Sequence, residues 1–425
     1  MRTYLALRKN NLNNQFPNLK EEKYSAMKKK RLFDRKNIWK TRLIIFLFLL
    51  SYTGMTSQTT ATTTSTPKNM RFKDSLDGAI DLSNFLIYAN GFLVVPAIIS
   101  EPALGGFGGA LAPIFLKKHA PVIEEDGKKR FINPDITGGL GMYTANNSWM
   151  AGGFRSATLI KPKILYRVAA AYGDINLSFY ANNLPTGNDQ EFKLNFRSTI
   201  FYTQWLKQFR NAKWSAGPQY LLLNSKINLP DFNLPPPFVK PGDINSLVSQ
   251  LGGALQFDGR DNIFTPDKGI RIQSDFFWSD NAIGSDYDSW RVNLSAIGYY
   301  PITDKLIGGL RIEGEQAFGS PPFYLRPGIN LRGIPTARYQ GKTSIVNELE
   351  FRWDLYRRWS LMGFGGLASA FDDWDQAFAK PVVYSYGTGF RYLIARKFKL
   401  RMGVDVAKGN EDWAYYIVFG SNWMR

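Results

Sequence analysis

The sequence predicts an all-β fold, a transmembrane antiparallel β-barrel of sixteen strands closed between the first and the last. Three observations lead there. From about residue 91 apolar and polar residues alternate with a period of two, the pattern of strands with one oily face. Aromatic residues make up 15% of the 425 residues while mean hydropathy is only −0.25, a pairing that suits walls whose two faces cancel. An export signal precedes this region, and no long apolar stretch follows it.

The N-terminal segment, residues 1–58, reads as an address. Lys28-Lys29-Lys30-Arg31, Arg35, Lys36, Lys40 and Arg42 precede the apolar run Leu43–Leu50, and Ser51, Gly54, Thr56 and Ser57 are small or polar. A basic flank, a short apolar core and a small-residue end make a secretory signal peptide, and the core is too short for a membrane-spanning helix. Met27 is an alternative start that gives the signal ordinary proportions. The formal net charge of +18 therefore divides. Residues 1–58 hold thirteen of the 53 Lys+Arg and three of the 35 Asp+Glu, so more than half of the surplus leaves with the signal. What remains is spread through strands and loops, facing a lumen or lipopolysaccharide phosphates rather than nucleic acid.

Residues 59–90 are expected to form a flexible periplasmic leader. Thr59–Pro67 is low-complexity and cannot bury a core, and Asp81–Tyr88 offers capping residues and an apolar face for one short helix. Only about forty residues separate the signal from the first strand, which leads us to expect no compact domain there.

Residues 91–425 are expected to be the barrel. Strands are read near 103–116, 135–146, 148–160, 161–173, 174–182, 190–207, 211–224, 248–257, 269–279, 287–300, 304–317, 343–355, 358–371, 382–395, 397–407 and 412–423. Phe398, Leu400, Met402, Val404 and Val406 alternate with Lys399, Arg401, Gly403 and Asp405, and Ile345, Leu349, Phe351 and Trp353 with Ser344, Glu348, Glu350 and Arg352. Alternation alone also fits a soluble sandwich. Strand lengths of about ten residues and aromatics crowded at strand ends, as in Trp353–Trp359 and Trp413–Phe419, favour a membrane barrel. The long connections, 117–134, 229–245 and 319–342, are expected to lie outside the cell or fold into the lumen.

Catalysis finds little support. There is no Cys, and His119, the one histidine, sits beside Lys117 and Lys118 in a loop and reads as a solvated residue. A Ser-His-Asp triad or a His-built zinc site is thereby disfavoured. Asp258, Asp261 and Asp267 do not match the spacing of a calcium loop. We therefore expect no enzyme activity, no catalytic residue, no metal and no cofactor.

Two segments go beyond pattern. The turn Phe257-Asp258-Gly259-Arg260-Asp261-Asn262 joins two strands, and Leu331-Arg332-Gly333-Ile334 lies in the longest late loop, ahead of the strand Asn347-Glu348-Leu349-Glu350-Phe351-Arg352. In these motifs and their order the chain resembles the BamA/TamA bacterial surface-antigen family of outer-membrane barrels, over most of residues 91–425 and most strongly after 248. The resemblance implies a turn motif at Asp258, Arg260, Asp261 and Asn262. It also implies a loop latch in which Arg332, beside Gly333, meets a luminal carboxylate, with Glu350 the expected partner. The family often supplies a second carboxylate in a Phe-x-Asp-x-Gly pattern, whereas here Phe364-Gly365-Gly366 puts Gly366 at that place.

The resemblance further implies a seam between the first and last strands that opens for clients. Gly105, Gly106, Gly108 and Gly109 are expected on the first strand and Phe419 and Trp423 on the last. Trp423 is also the expected aromatic of an outer-membrane assembly signal. Glycine in a strand weakens its ladder, though it equally permits a bend.

The function expected is that of an outer-membrane barrel of this type without POTRA domains, in a diderm bacterium. It would be an accessory in outer-membrane protein biogenesis or in protein or lipid export by lateral seam opening. Its partners would be outer-membrane lipid and lipopolysaccharide, with client proteins or partners in an outer-membrane complex, and no nucleic acid. The alternatives are a passive solute pore and a structural platform in a membrane complex.

Overall fold

A computed structural model describes residues 72–84, 92–117, 119, 122–123, 129–130, 135–181, 190–209, 213–229, 238–377, 382–410 and 413–423. The expected signal peptide and most of the Thr-rich leader lie outside these residues. Sixteen strands pair antiparallel, each with its sequence neighbour, in one sheet that curls into a nearly closed barrel. They are β1 (Phe92–Ile99), β2 (Gly108–Lys117), β3 (Asp135–Thr144), β4 (Trp149–Leu159), β5 (Ile164–Ala181), β6 (Gln190–Phe209), β7 (Trp214–Asn228) and β8 (Asn245–Asp258). There follow β9 (Gly269–Ser279), β10 (Ser289–Pro301), β11 (Leu306–Gly319), β12 (Thr343–Tyr356), β13 (Trp359–Phe371), β14 (Val383–Ala395), β15 (Leu400–Lys408) and β16 (Trp413–Phe419). A two-residue ribbon, Val122–Ile123 with Lys129–Arg130, stands apart.

Period-two patterning decides which face looks inward. On β12, Glu348 is 1% exposed and its neighbour Leu349 is 51% exposed. Ser344, Val346, Glu350 and Arg352 share the buried side, while Phe351 and Trp353 share the outer one. Trp353, Tyr356, Trp359, Trp413 and Tyr415 are exposed near strand ends, where an aromatic girdle belongs. No helix among the described residues is long and apolar enough to cross a membrane.

The strand count agrees with expectation, but two assignments differ and offset each other. The first strand is Phe92–Ile99 rather than 103–116, which is the second. The former carries a continuous apolar run interrupted by Pro96, so it shows no alternation; proline without an N–H is tolerated on an edge strand. The segments expected at 161–173 and 174–182 form one 18-residue strand. Tyr172-Gly173-Asp174 resembles a turn, yet Asp174 continues the ladder opposite Arg197 and pairs with its guanidinium at 3.1 Å.

Every connection alternates between two ends. The end where β1 begins is called the entry end, and the other the far end. The connection from β2 to β3 falls at the entry end, apart from the other two long loops. His119 in that connection is not a free surface residue, because its Nε2 lies 2.8 Å from Asp135 Oδ1.

Candidate functional site: a loop pinned inside the barrel

The connection from β11 to β12 enters the lumen. It turns at Gly319, pairs Gly328 with Gln340, and hydrogen-bonds Ile329 N to Tyr339 O at 3.0 Å. Its apolar residues Ile329, Leu331 and Ile334 pack on Val346, Ala368 and Val383 of the wall. Apolar burial thus seats the loop, and its backbone closes on itself, before any charge is considered.

Arg332 at the tip is buried against three wall strands, β12, β13 and β15. Its Nε donates to Glu348 Oε1 at 2.7 Å and its Nη1 to Asp405 Oδ2 at 2.9 Å. The same Nη1 lies 2.9 Å from Glu350 Oε2, and the guanidinium carbon stands 3.5 Å from the Phe364 ring centroid. Glu348 also meets Arg311 Nη2 at 2.9 Å and accepts from Trp423 Nε1 at 2.6 Å. Asp405 accepts from Arg391 Nη1 at 2.6 Å and from its Nη2 at 2.9 Å. Three guanidiniums, from Arg311, Arg332 and Arg391, therefore face three carboxylates, all nearly free of solvent.

Such an array lowers its own desolvation cost only when complete, and its geometry dictates which loop conformation fits. Glu350, the partner expected from sequence, contacts Arg332 but shares it with Glu348 and Asp405. The second carboxylate comes from β15 rather than β13. Gly366 explains the exchange: a Cβ there would come within 2.5 Å of Leu331 Cδ1, so the missing side chain makes room for the loop.

Gly333 is required by conformation. Its φ is +85°, a Cβ would approach Gly409 N within 2.8 Å, and its N–H donates to the Tyr416 hydroxyl at 2.9 Å. Arg311, Glu348, Arg391 and Asp405 were not assigned to the latch from sequence. The available signal was their place on the polar faces of their strands.

The turn motif at the entry end is self-capped. Asn262 Oδ1 accepts from the N–H groups of Phe264 and Thr265 at 2.8 and 2.9 Å, and Asn262 Nδ2 donates to Phe398 O at 3.0 Å. Asp261 Oδ1 accepts from Asp267 N and Lys268 N, and its other oxygen meets Lys399 Nζ at 2.9 Å. Arg260 pairs with Asp258 at 2.8 Å. The motif thus fastens the β8–β9 turn to the β14–β15 turn through Asn262 and Asp261.

Residues 167–324 match the Omp85 superfamily domain. The fold is similar to BamA from Haemophilus ducreyi lacking POTRA domains 1–3, with a TM-score of 0.53, 12% identity, and coverage of 78% of this chain and 70% of that one. It is also similar to CdiB from Escherichia coli, with a TM-score of 0.51, 11% identity, and coverage of 76% of this chain and 61% of that one. The chain thus carries a match to the Omp85 superfamily domain over part of its wall, and its barrel has a fold similar to these two structures. No curated protein matches it in sequence.

In this barrel the seam lies elsewhere than expected. Its edges are β1 and β16, the two ends of the sheet, and no ladder joins them among the described residues. Gly105 and Gly106 belong to the β1–β2 connection, with φ of +86° and +72°, and Gly108 and Gly109 open β2. Their glycines serve a tight turn rather than a weak first strand. Gly106 nonetheless reaches the seam, since its carbonyl accepts from the Tyr415 hydroxyl of β16 at 3.0 Å. Phe419 ends β16 opposite Met402. Trp423 is not on the seam: Gly420, at φ +79°, turns the chain inward, and the indole packs on Tyr299 within the lumen, 1% exposed.

The stretch Phe72–Asn84, expected to be flexible, is fastened to the entry end. A short hairpin pairs Lys73 with Ile80 and presents Asp74, Asp77 and Asp81 to Arg358 at 2.6, 2.6 and 2.8 Å. Arg396 adds a contact to Asp74 at 2.6 Å, and Leu82 N donates to Ile394 O at 2.7 Å. The Asp-x-x-Asp-x-x-x-Asp spacing was the signal that the neighbouring Thr-rich composition obscured. Of the helix expected at 81–88, Ser83 and Asn84 are helical, Asp81 and Leu82 are not, and residues 85–88 lie outside the described residues.

Burial opposes the charge on Asp81, but hydrogen bonds from Ser83, the Arg396 N–H and Arg358 outweigh it and hold the carboxyl down at about 2. Arg396 and Arg358 likewise hold Asp74 and Asp77 below the usual carboxylate range. A depressed carboxyl stabilises docking fully above its free value of about 4, and that contribution fades as pH falls through about 2. The hairpin is expected to resist amide exchange at pH 5 and to lose protection between pH 4 and 2. Release already complete at pH 5 would show that these ion pairs do not hold it.

At the far end, β5, β6 and β7 overshoot with apolar inner faces. Phe179, Phe192 and Phe196 pack with Val239 and Phe323 from two loops, and Phe179 meets Phe323 edge-on at 4.9 Å. Beneath this cap lies a cavity of about 460 Å³ with a mixed lining, Arg167, Gln204, Arg271 and Asp275 of the wall together with apolar residues such as Leu177 and Ile297 and residues of the loop.

Proposed function

We propose that this barrel is an accessory in outer-membrane protein biogenesis or in export of a protein or lipid client, working by lateral opening between β1 and β16. The carrying observation is the contrast between the pinned loop and the unjoined edges. The loop ties itself to β12, β13 and β15 through Arg332 and to β16 through the Gly333 N–H, whereas β1 and β16 meet without a ladder among the described residues. Pro96 on β1, and Pro113 where β2–β3 pairing is interrupted, lower the cohesion of the β1 side further. The aromatic cap at the far mouth supports this reading over a passive pore. The entry end, which carries the docked hairpin, faces the periplasm in this reading.

The cysteine-free chain suits a direct test. Cys pairs placed between Phe92–Ile99 and Trp413–Phe419 are oxidised in cells whose own copy is deleted. Locking the seam should reduce complementation to the level of the deletion, and reduction should restore it. Full complementation by a completely cross-linked protein would sink lateral opening.

A further inference from the structure

On the lipid-facing surface at the entry end, β9–β12 border an open apolar recess of about 510 Å³. Its floor is bare because two outward positions are glycine. Gly298 of β10 sits between Ile270 and Leu310, and Gly308 of β11 between Tyr300 and Phe351. Most other outward positions on these strands carry Ile, Val, Leu, Phe or Trp, with Ser274, Ala296, Gly314, Gln316 and Asn347 as exceptions farther from this end. Tyr300, 73% exposed, and Ile302, 49% exposed, form a lip at the strand ends.

We propose that this recess holds one acyl chain of a membrane phospholipid as a fixed, structural lipid. The recess is continuous with the belt of side chains that faces the bilayer, so hydrocarbon is the medium that reaches it. An apolar space gives water too few partners to stay, and an empty one forfeits the dispersion contacts of every atom lining it. A chain lying over Gly298 and Gly308 is flanked by Leu310 and Phe351, whereas a chain on the flat wall is bounded on one face only. Gly298 lies in β10, on the side of the barrel away from the β1–β16 seam, so this lipid is distinct from any that meets the opening.

Gly298→Leu tests the site without straining the fold, because a Cβ at Gly298 meets nothing within 4 Å. Gly363, on the outer face of β13, is equally open and supplies the control Gly363→Leu. The proteins are extracted in mild detergent and weighed intact by native mass spectrometry, with heat-modifiability on gels as the check of folding. Wild type and Gly363→Leu should each retain one phospholipid, and Gly298→Leu none. Equal retention in Gly298→Leu, no retained lipid in wild type, or equal loss from Gly363→Leu would each overturn the site. Gly308→Ala, whose methyl would press only on Ile302 Cδ1 at 3.1 Å, serves if Gly298→Leu folds poorly. Weakened retention supports the recess as a lipid site, and full retention overturns it.

Discussion

Arg332→Ala is expected to destabilise the barrel by about 3–5 kcal/mol, the scale for removing one partner from a buried ion array. Three carboxylates then face two guanidiniums, Arg311 and Arg391, all nearly free of solvent. Arg332 also leaves the Phe364 face, so a cation–π contact is lost with it. The denaturant midpoint of purified protein and the fraction that keeps its fast-migrating form on unheated gels both measure this. Arg332→Lys should recover little, since a single ammonium cannot reach Glu348 and Asp405 in the fork that the guanidinium spans. A midpoint within error of wild type would reduce the pinned loop to one of several luminal fillings.

Gly366→Asp should be nearly as damaging, although it installs the residue that the surface-antigen pattern favours at this place. The new side chain would collide with Leu331 Cδ1, 2.5 Å from its Cβ, and with Asn347 O at 2.8 Å. Overpacking of this kind costs about 1–3 kcal/mol, and a fourth carboxylate beside a balanced array adds an unpaired charge. The loop should therefore be expelled, and protease sites near Leu331 should become accessible in the folded barrel. If the variant is as stable as wild type, Asp405 and the Asp at 366 are interchangeable, and the account of Gly366 as room for Leu331 fails.

The wall was legible because membrane strands advertise themselves: Glu348 and Leu349 alternate in sequence as they alternate between lumen and lipid. β1 was not, since Phe92-Leu93-Val94-Val95 lacks alternation and its pairing is decided by β2 alone. The loop motif could be picked out, but its partners could not be ranked. Glu348 and Glu350 share one polar face, and only the depth to which the loop descends selects between them. Asp405 lies 73 residues beyond Arg332, on another strand, where nothing in spacing connects the two. Trp423 misled because an aromatic after an alternating strand looks lipid-facing, whereas the turn at Gly420 reverses its direction. The acidic hairpin went unrecognised because its partner, Arg358, sits in a turn far along the chain.

Among the described residues the strands differ greatly in length: seven residues in β16 and eight in β1, against 18 in β5 and 20 in β6. At about 3.4 Å per residue and a tilt of about 40°, the two edge strands rise only about 20 Å. A hydrocarbon core is about 30 Å thick. The barrel therefore stands in its membrane as a wedge, tall on one side and short on the other. In the lateral-opening reading proposed above, lipids beside β1 and β16 would shorten or tilt to meet it, thinning the bilayer where the sheet is left unjoined.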